Sequence, residues 1–103
     1  MKVQILVIEG CPHAIAARAA VAQVLADVGR ALEIEEVTVR VPGTPGFAGS
    51  PTVLVDGRDV DEGAQACSGV GCRIYANPAN RGVPPPEAIR RAIAEALQRE
   101  GQS

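Results

Sequence analysis

Three cysteines and a single histidine carry the reactive chemistry of this chain: Cys11, His13, Cys67 and Cys72. The tightest grouping is Cys11-Pro12-His13-Ala14, set between an apolar run, Val3-Gln4-Ile5-Leu6-Val7-Ile8, and a long helix-forming pattern. A cysteine placed where a strand turns into a helix sits near unpaired backbone N–H groups and the positive end of the helix dipole. Both favour thiolate over thiol, which makes the sulfur a nucleophile or a soft-metal ligand. His13, two residues on, reads as the group that tunes this thiol. Ala14 stands where a dithiol redox motif would carry its second cysteine. This leaves a thiol that works alone, with a soft metal, or with a resolving thiol from elsewhere in the chain, for which Cys72 is the first choice and Cys67 the second.

Two other chemistries fit the same residues. Several thiolates around one pocket suit a soft cation, so binding of mercury or an organomercurial is the main alternative. A Cys₃His zinc site from Cys11, His13, Cys67 and Cys72 is a further variant, although Cys-x-His and Cys-x₄-Cys are not usual zinc spacings. The bland alternative is a scaffold whose thiol site is vestigial. The chain is read as cytoplasmic for want of a signal-peptide or membrane-spanning pattern, and an odd cysteine count in such a chain argues against a structural disulfide framework. Net charge is −2, and no basic run is longer than Arg90-Arg91. Nucleic acid is not expected as a partner, because phosphate binding needs a concentrated positive face. A membrane is not expected either, since no apolar stretch approaches the ~20 residues that span a bilayer. The short apolar run after Lys2 ends at Glu9-Gly10, before a signal-peptide core would be complete.

The elements that must position these residues follow from local patterns. At 103 residues the chain reads as one domain, 1–103. Residues 2–8 read as a buried strand. Pro12 is expected at the first helical position, where its missing N–H costs nothing. The helix is expected to run to about Val28, with Val21, Val24, Leu25 and Val28 on one face and Gly29 as its stop. Leu32 to Val41 reads as a second strand, parallel to the first. Its alternation slips by one residue, which predicts a bulge near Glu35-Glu36. Loop residues 42–49 lead through Ser50-Pro51-Thr52 into a strand at Val53-Leu54-Val55. Asp56-Gly57 predicts a hairpin to a short edge strand, Arg58-Asp59-Val60. Residues 61–82 read as a long loop, unusual enough in a small domain to suggest function. Pro84-Pro85-Pro86 opens a last helix with Ile89, Ile93 and Leu97 inward.

Secondary candidates read as structural. Asp56, Asp59, Asp61 and Glu62 are expected to form a solvated edge that discourages strand pairing, not a hard-metal site. Arg73 is expected at the surface, and Tyr75 either covers the core or lines a pocket. Gly69-Val70-Gly71 is not part of a phosphate loop.

With Cys11-Pro12-His13 at a helix start and Ser50-Pro51-Thr52 before the third strand, the chain resembles the thioredoxin superfamily over most of residues 2–100. Cys11-Pro12-His13 is similar to the start of the Cys-Pro-His-Cys motif of DsbA-type disulfide oxidases. Gly49 to Gly57 and Cys72-Arg73-Ile74-Tyr75 are similar to small bacterial thioredoxin-like proteins, some associated with mercury resistance or alkylmercury lyase. The resemblance implies an α/β (α+β) thioredoxin-like fold: a four-stranded mixed sheet with flanking helices, in the order β-α-β-(loop)-β-β-α. It implies a cis peptide bond before Pro51, close to Cys11. It further implies thiol–disulfide oxidoreductase chemistry with Cys11 as nucleophile and a protein or small-molecule thiol or disulfide as partner. Pro12, Ser50, Pro51 and Thr52 would position the substrate, with the backbone of Ser50 open to strand addition. On such a sheet the 61–82 loop starts at the same end as Cys11.

Overall fold

The chain is described here by a computed structural model covering residues 1–30, 32–41, 43–61 and 73–101. The elements in chain order are β1 (Val3–Ile8), α1 (Ala14–Asp27), β2 (Ile34–Val39), β3 (Thr52–Val55), β4 (Arg58–Asp59) and α2 (Pro86–Glu100). The four strands form one mixed sheet in the order β2-β1-β3-β4. β1 runs parallel to β2 and antiparallel to β3, and β4 returns antiparallel to β3. This is an α+β arrangement with two helices. Cys67, Cys72, Glu62 and Gly69-Val70-Gly71 lie outside the described residues.

Strand periodicity decides the layers. Val3, Ile5 and Val7 alternate to one face of β1, beside Val53 and Val55 of β3. Against that face pack Ala17, Val21, Val24 and Leu25 of α1 and Ile89, Ile93 and Ala96 of α2. Both helices therefore cover the same face of the sheet and touch one another. The opposite face carries a smaller cluster, Leu6, Val39 and Leu54, partly roofed by Phe47 from the loop before β3. Burying one large aliphatic side chain contributes about 1.5–3 kcal/mol, so the helix-covered layer supplies most of the apolar stabilisation.

Three local expectations are corrected. α1 begins at Ala14 with His13 as its N-cap, so Pro12 lies two residues before the helix and not at its first position. The backbone N–H of Cys11 donates to the Ile8 carbonyl (3.2 Å), which turns the chain off β1 before any helical bond forms. The first bond of the helix proper is from the Ala17 N–H to the His13 carbonyl, at 2.9 Å. β2 is shorter than expected and has no bulge: its pairing with β1 advances one residue at a time from Val3↔Ile34 to Ile8↔Val39. The alternation slips because Glu36 takes a helix-side position on the sheet's edge, where Arg18 of α1 reaches it at 4.0 Å. The last helix opens within Pro84-Pro85-Pro86 as expected, starting at Pro86 with Pro85 as its N-cap.

Other expectations hold. α1 closes with the Gly29 N–H on the Ala26 carbonyl and the Arg30 N–H on the Leu25 carbonyl, the Schellman pattern. Asp56 and Gly57 both have positive φ, 52° and 77°, as a two-residue hairpin turn of type I′ requires.

Candidate functional site

Two turns meet at the end of β1. One is the Cys11-Pro12-His13 turn, held by the Cys11 N–H on the Ile8 carbonyl. The other is Gly49-Ser50-Pro51-Thr52, with a cis peptide bond between Ser50 and Pro51. Its Ser50 hydroxyl accepts the Ile8 N–H at 3.0 Å. A single residue, Ile8, thus binds the cysteine turn through its carbonyl and the proline turn through its amide. The sequence-predicted Cys11, Pro12, His13, Ser50, Pro51 and Thr52 are brought to one end of the sheet.

Cys11 is half-buried, carries a free thiol, and packs against the edge of the helix-side core. α1 starts beside it with no side-chain cap and no acidic residue in its first turn. The positive end of this helix is therefore not neutralised by its own sequence, and an anion next to it is favoured. His13 is half-buried too. Its ring lies on the backbone of Gly82, so close that a Cβ built on Gly82 would fall 2.3 Å from the ring carbons.

The hydroxyls expected to position substrate serve the protein's own backbone. Ser50 and Thr52 are fully buried. Thr52 Oγ1 accepts the Ala48 N–H at 3.1 Å and donates to the Gly49 carbonyl at 2.5 Å. The Ser50 carbonyl, expected to be open to an extended peptide, already receives the Arg73 N–H at 3.0 Å. The Pro51 carbonyl receives the Tyr75 hydroxyl at 2.5 Å.

Arg73 is the residue that sequence reasoning misplaced, while Tyr75 is buried in the core beside it, one of its two expected places. Arg73 is 2% exposed, not at the surface. Its guanidinium pairs with Asp59 at 2.6 Å, donates to the Asp61 carbonyl at 2.5 Å and lies 4.9 Å from the centre of the Tyr75 ring. It also donates to the Tyr75 hydroxyl at 3.3 Å. Burial pushes the Tyr75 phenol well above its usual range, with the Arg73 charge working weakly against it. Asp59 is consequently no member of a solvated acidic edge: it is the counter-ion of a buried arginine. Asp56 accepts the Lys2 N–H at 2.7 Å and pairs with Arg99 at 3.4 Å. The missed signal was the alternation Arg73-Ile74-Tyr75, in which Ile74 is 60% exposed while its neighbours turn inward. Gly49 fits this contact by lacking a side chain, since a Cβ there would lie 2.8 Å from the Cβ of Arg73.

Among the described residues, no group of three or more His, Cys, Asp or Glu side chains is arranged to hold a metal ion. Cys11 and His13 are the described members of the soft-metal set, and Cys67 and Cys72 fall outside the described residues. Among the described residues no helix is long and apolar enough to cross a membrane. No protein-family model, curated protein or solved structure matches the chain significantly.

Proposed function

We propose that this is a thioredoxin-like thiol–disulfide exchange protein in which Cys11 is the nucleophile. The observation that carries the reading is the meeting of the Cys11 turn and the Ser50–Pro51 turn on Ile8. A half-buried free thiol beside an uncapped helix start supports it, because the thiolate is the attacking form and an anion is favoured there.

The Cys11 thiolate attacks one sulfur of a substrate disulfide. The Cys11–substrate S–S bond forms, the substrate S–S bond breaks, and the other substrate sulfur leaves as thiolate. A second thiolate then attacks the Cys11 sulfur. This forms a new disulfide on Cys11 and releases the fully reduced substrate, so two electrons pass from the protein's thiols to the substrate. Ala14 cannot be the second thiol. Cys72 is the proposed one, since it precedes Arg73, whose N–H donates to Ser50 in the facing turn. Cys67 is the reserve.

The test is trapping. Reduced protein is mixed with a disulfide-containing peptide, quenched in acid and mapped by mass spectrometry. A mixed disulfide on Cys11, absent in Cys11→Ser and longer-lived in Cys72→Ser, is the expected result. Exchange that survives Cys11→Ser unchanged would overturn the reading.

A further inference from the structure

We infer that Gly82 is a positioning residue for His13, seating the imidazole beside the Cys11 turn. The consequence for Cys11 rests on the thiol-exchange reading; the seat itself does not.

Residue 82 is a glycine for a steric reason. Its φ is not among the positive values found at Gly10, Gly29, Gly43, Gly46, Gly49 and Gly57, so backbone conformation does not demand it. Space does. A Cβ at Gly82 would lie 2.3 Å from Cδ2 and Cγ and 2.6 Å from Nδ1 of His13, far inside contact distance. Gly82 is buried, and the ring that covers it belongs to the N-cap of α1, two residues after Cys11.

The seat is stiff on the glycine side. The Gly82 N–H donates to Asn80 Oδ1 at 2.9 Å, and the Val83 N–H donates to the Asn80 carbonyl at 3.1 Å. The Asn77 side-chain amide donates to the Val83 carbonyl at 3.1 Å, and the Tyr75 N–H donates to the Arg81 carbonyl at 2.8 Å. Segment 75–83 is thus tied to itself on both sides of residue 82. The same segment, with Arg73, holds the Ser50 and Pro51 carbonyls. One stretch of chain therefore fixes both the proline turn and the histidine. With the backbone held, the ring is what moves when the glycine gains a methyl group, because a side chain has rotamers to change and this backbone does not.

Three variants test this: Gly82→Ala, His13→Ala and the double variant, each carrying Cys67→Ser and Cys72→Ser so that one thiol is read. His13 is the only histidine, so its imidazole gives one resolved set of NMR signals. Gly82→Ala should move those signals. It should also change the rate of Cys11 alkylation by iodoacetamide in the same direction as His13→Ala, by about three- to tenfold as expected for coupled contacts. The double variant should react like His13→Ala alone. Any melting temperature lost in Gly82→Ala should return in the double variant, where the ring that the methyl strikes is gone. Unmoved imidazole signals, multiplying rate effects, or a double variant as unstable as Gly82→Ala would each overturn the seat. Moved signals with an alkylation rate indifferent to His13→Ala would overturn only the link to Cys11. Peptide-disulfide trapping on Cys11 would then still stand or fall by itself.

Discussion

The two ends of the sheet are held by different physics. At the hairpin end, Asp56 binds the Lys2 N–H and Arg99, and Glu100 pairs with Arg30 at 2.8 Å and the chain's amino group at 3.1 Å. These groups are part-exposed, and such pairs contribute little and are screened by salt. From the cysteine end, where its N–H meets the Ser50 carbonyl, buried Arg73 reaches along the sheet to Asp59 of β4, and this pair is joined to the Tyr75 hydroxyl and the Pro51 carbonyl. Burying a charge costs several kcal/mol, so such a pair is tolerated only when its members satisfy one another. A chain of this size gains little stability from that choice over an apolar substitute. What it gains is one geometry: the Ser50–Pro51 turn held from behind on Ile8, the residue whose carbonyl also holds the Cys11 turn.

The largest effect should come from breaking the buried pair. Asp59→Ala removes the carboxylate that pairs with the buried Arg73 guanidinium and should cost about 3 kcal/mol, the lower end of the usual range because Asp59 is partly exposed. Urea denaturation measures this. Replacing Arg73 and Asp59 together by Met and Leu should recover most of the loss, which would separate pairing from packing.

Tyr75→Phe is next. It strips the buried Pro51 carbonyl of its donor and should cost about 1–3 kcal/mol. It should also change the alkaline limb of stability. The folded-state value of Tyr75 is raised above its unfolded value of 10.0. Its contribution is therefore complete below pH 10 and lost as pH rises beyond. Denaturation midpoints should fall above that pH in the parent chain and fall less in Tyr75→Phe.

The hairpin end should respond least. Arg99→Ala should cost about 0.2–1 kcal/mol and less in high salt. The hydrogen bond from Lys2 holds the Asp56 carboxyl below its usual range, and hydrogen bonds from the amino terminus and Arg30 do the same for Glu100. Lowered carboxyl values stabilise above the unfolded values of 3.8 and 4.5 and fail as pH falls below them. Asp56→Asn with Glu100→Gln should flatten that acid limb in midpoint-against-pH curves. Equal losses at both ends of the sheet would break the contrast.

How far the sequence reveals this contrast depends on the distance over which each signal acts. β1, the Asp56–Gly57 turn and the inward Ile89–Ile93 stripe are legible because alternation, turn chemistry and helical spacing are local. The meeting of the Cys11 turn with the Ser50–Pro51 turn was expected only from the resemblance of those two motifs to a known family, because no local pattern links residues so far apart in sequence. The start of α1 was misjudged because Pro12 is at ease in either a turn or a helix start, and the Ile8–Cys11 bond decides between them. Glu36 imitated a bulge because an edge strand lets a carboxylate occupy a helix-side position. Asp59 read as solvated because its partner lies 14 residues away and turns inward only in the folded chain. Gly82 carried no signal at all, since its need for a bare Cα is set by a ring from α1.

The most direct test of the central claim is the rate at which Cys11 reacts with a small disulfide such as oxidised glutathione. It is measured in the Cys67→Ser/Cys72→Ser chain, folded and then unfolded in urea at the same pH. The account predicts that the folded chain reacts at least about tenfold faster, the gain expected of a thiol activated beside a helix N-terminus. A folded-chain rate equal to or below the unfolded one would contradict it.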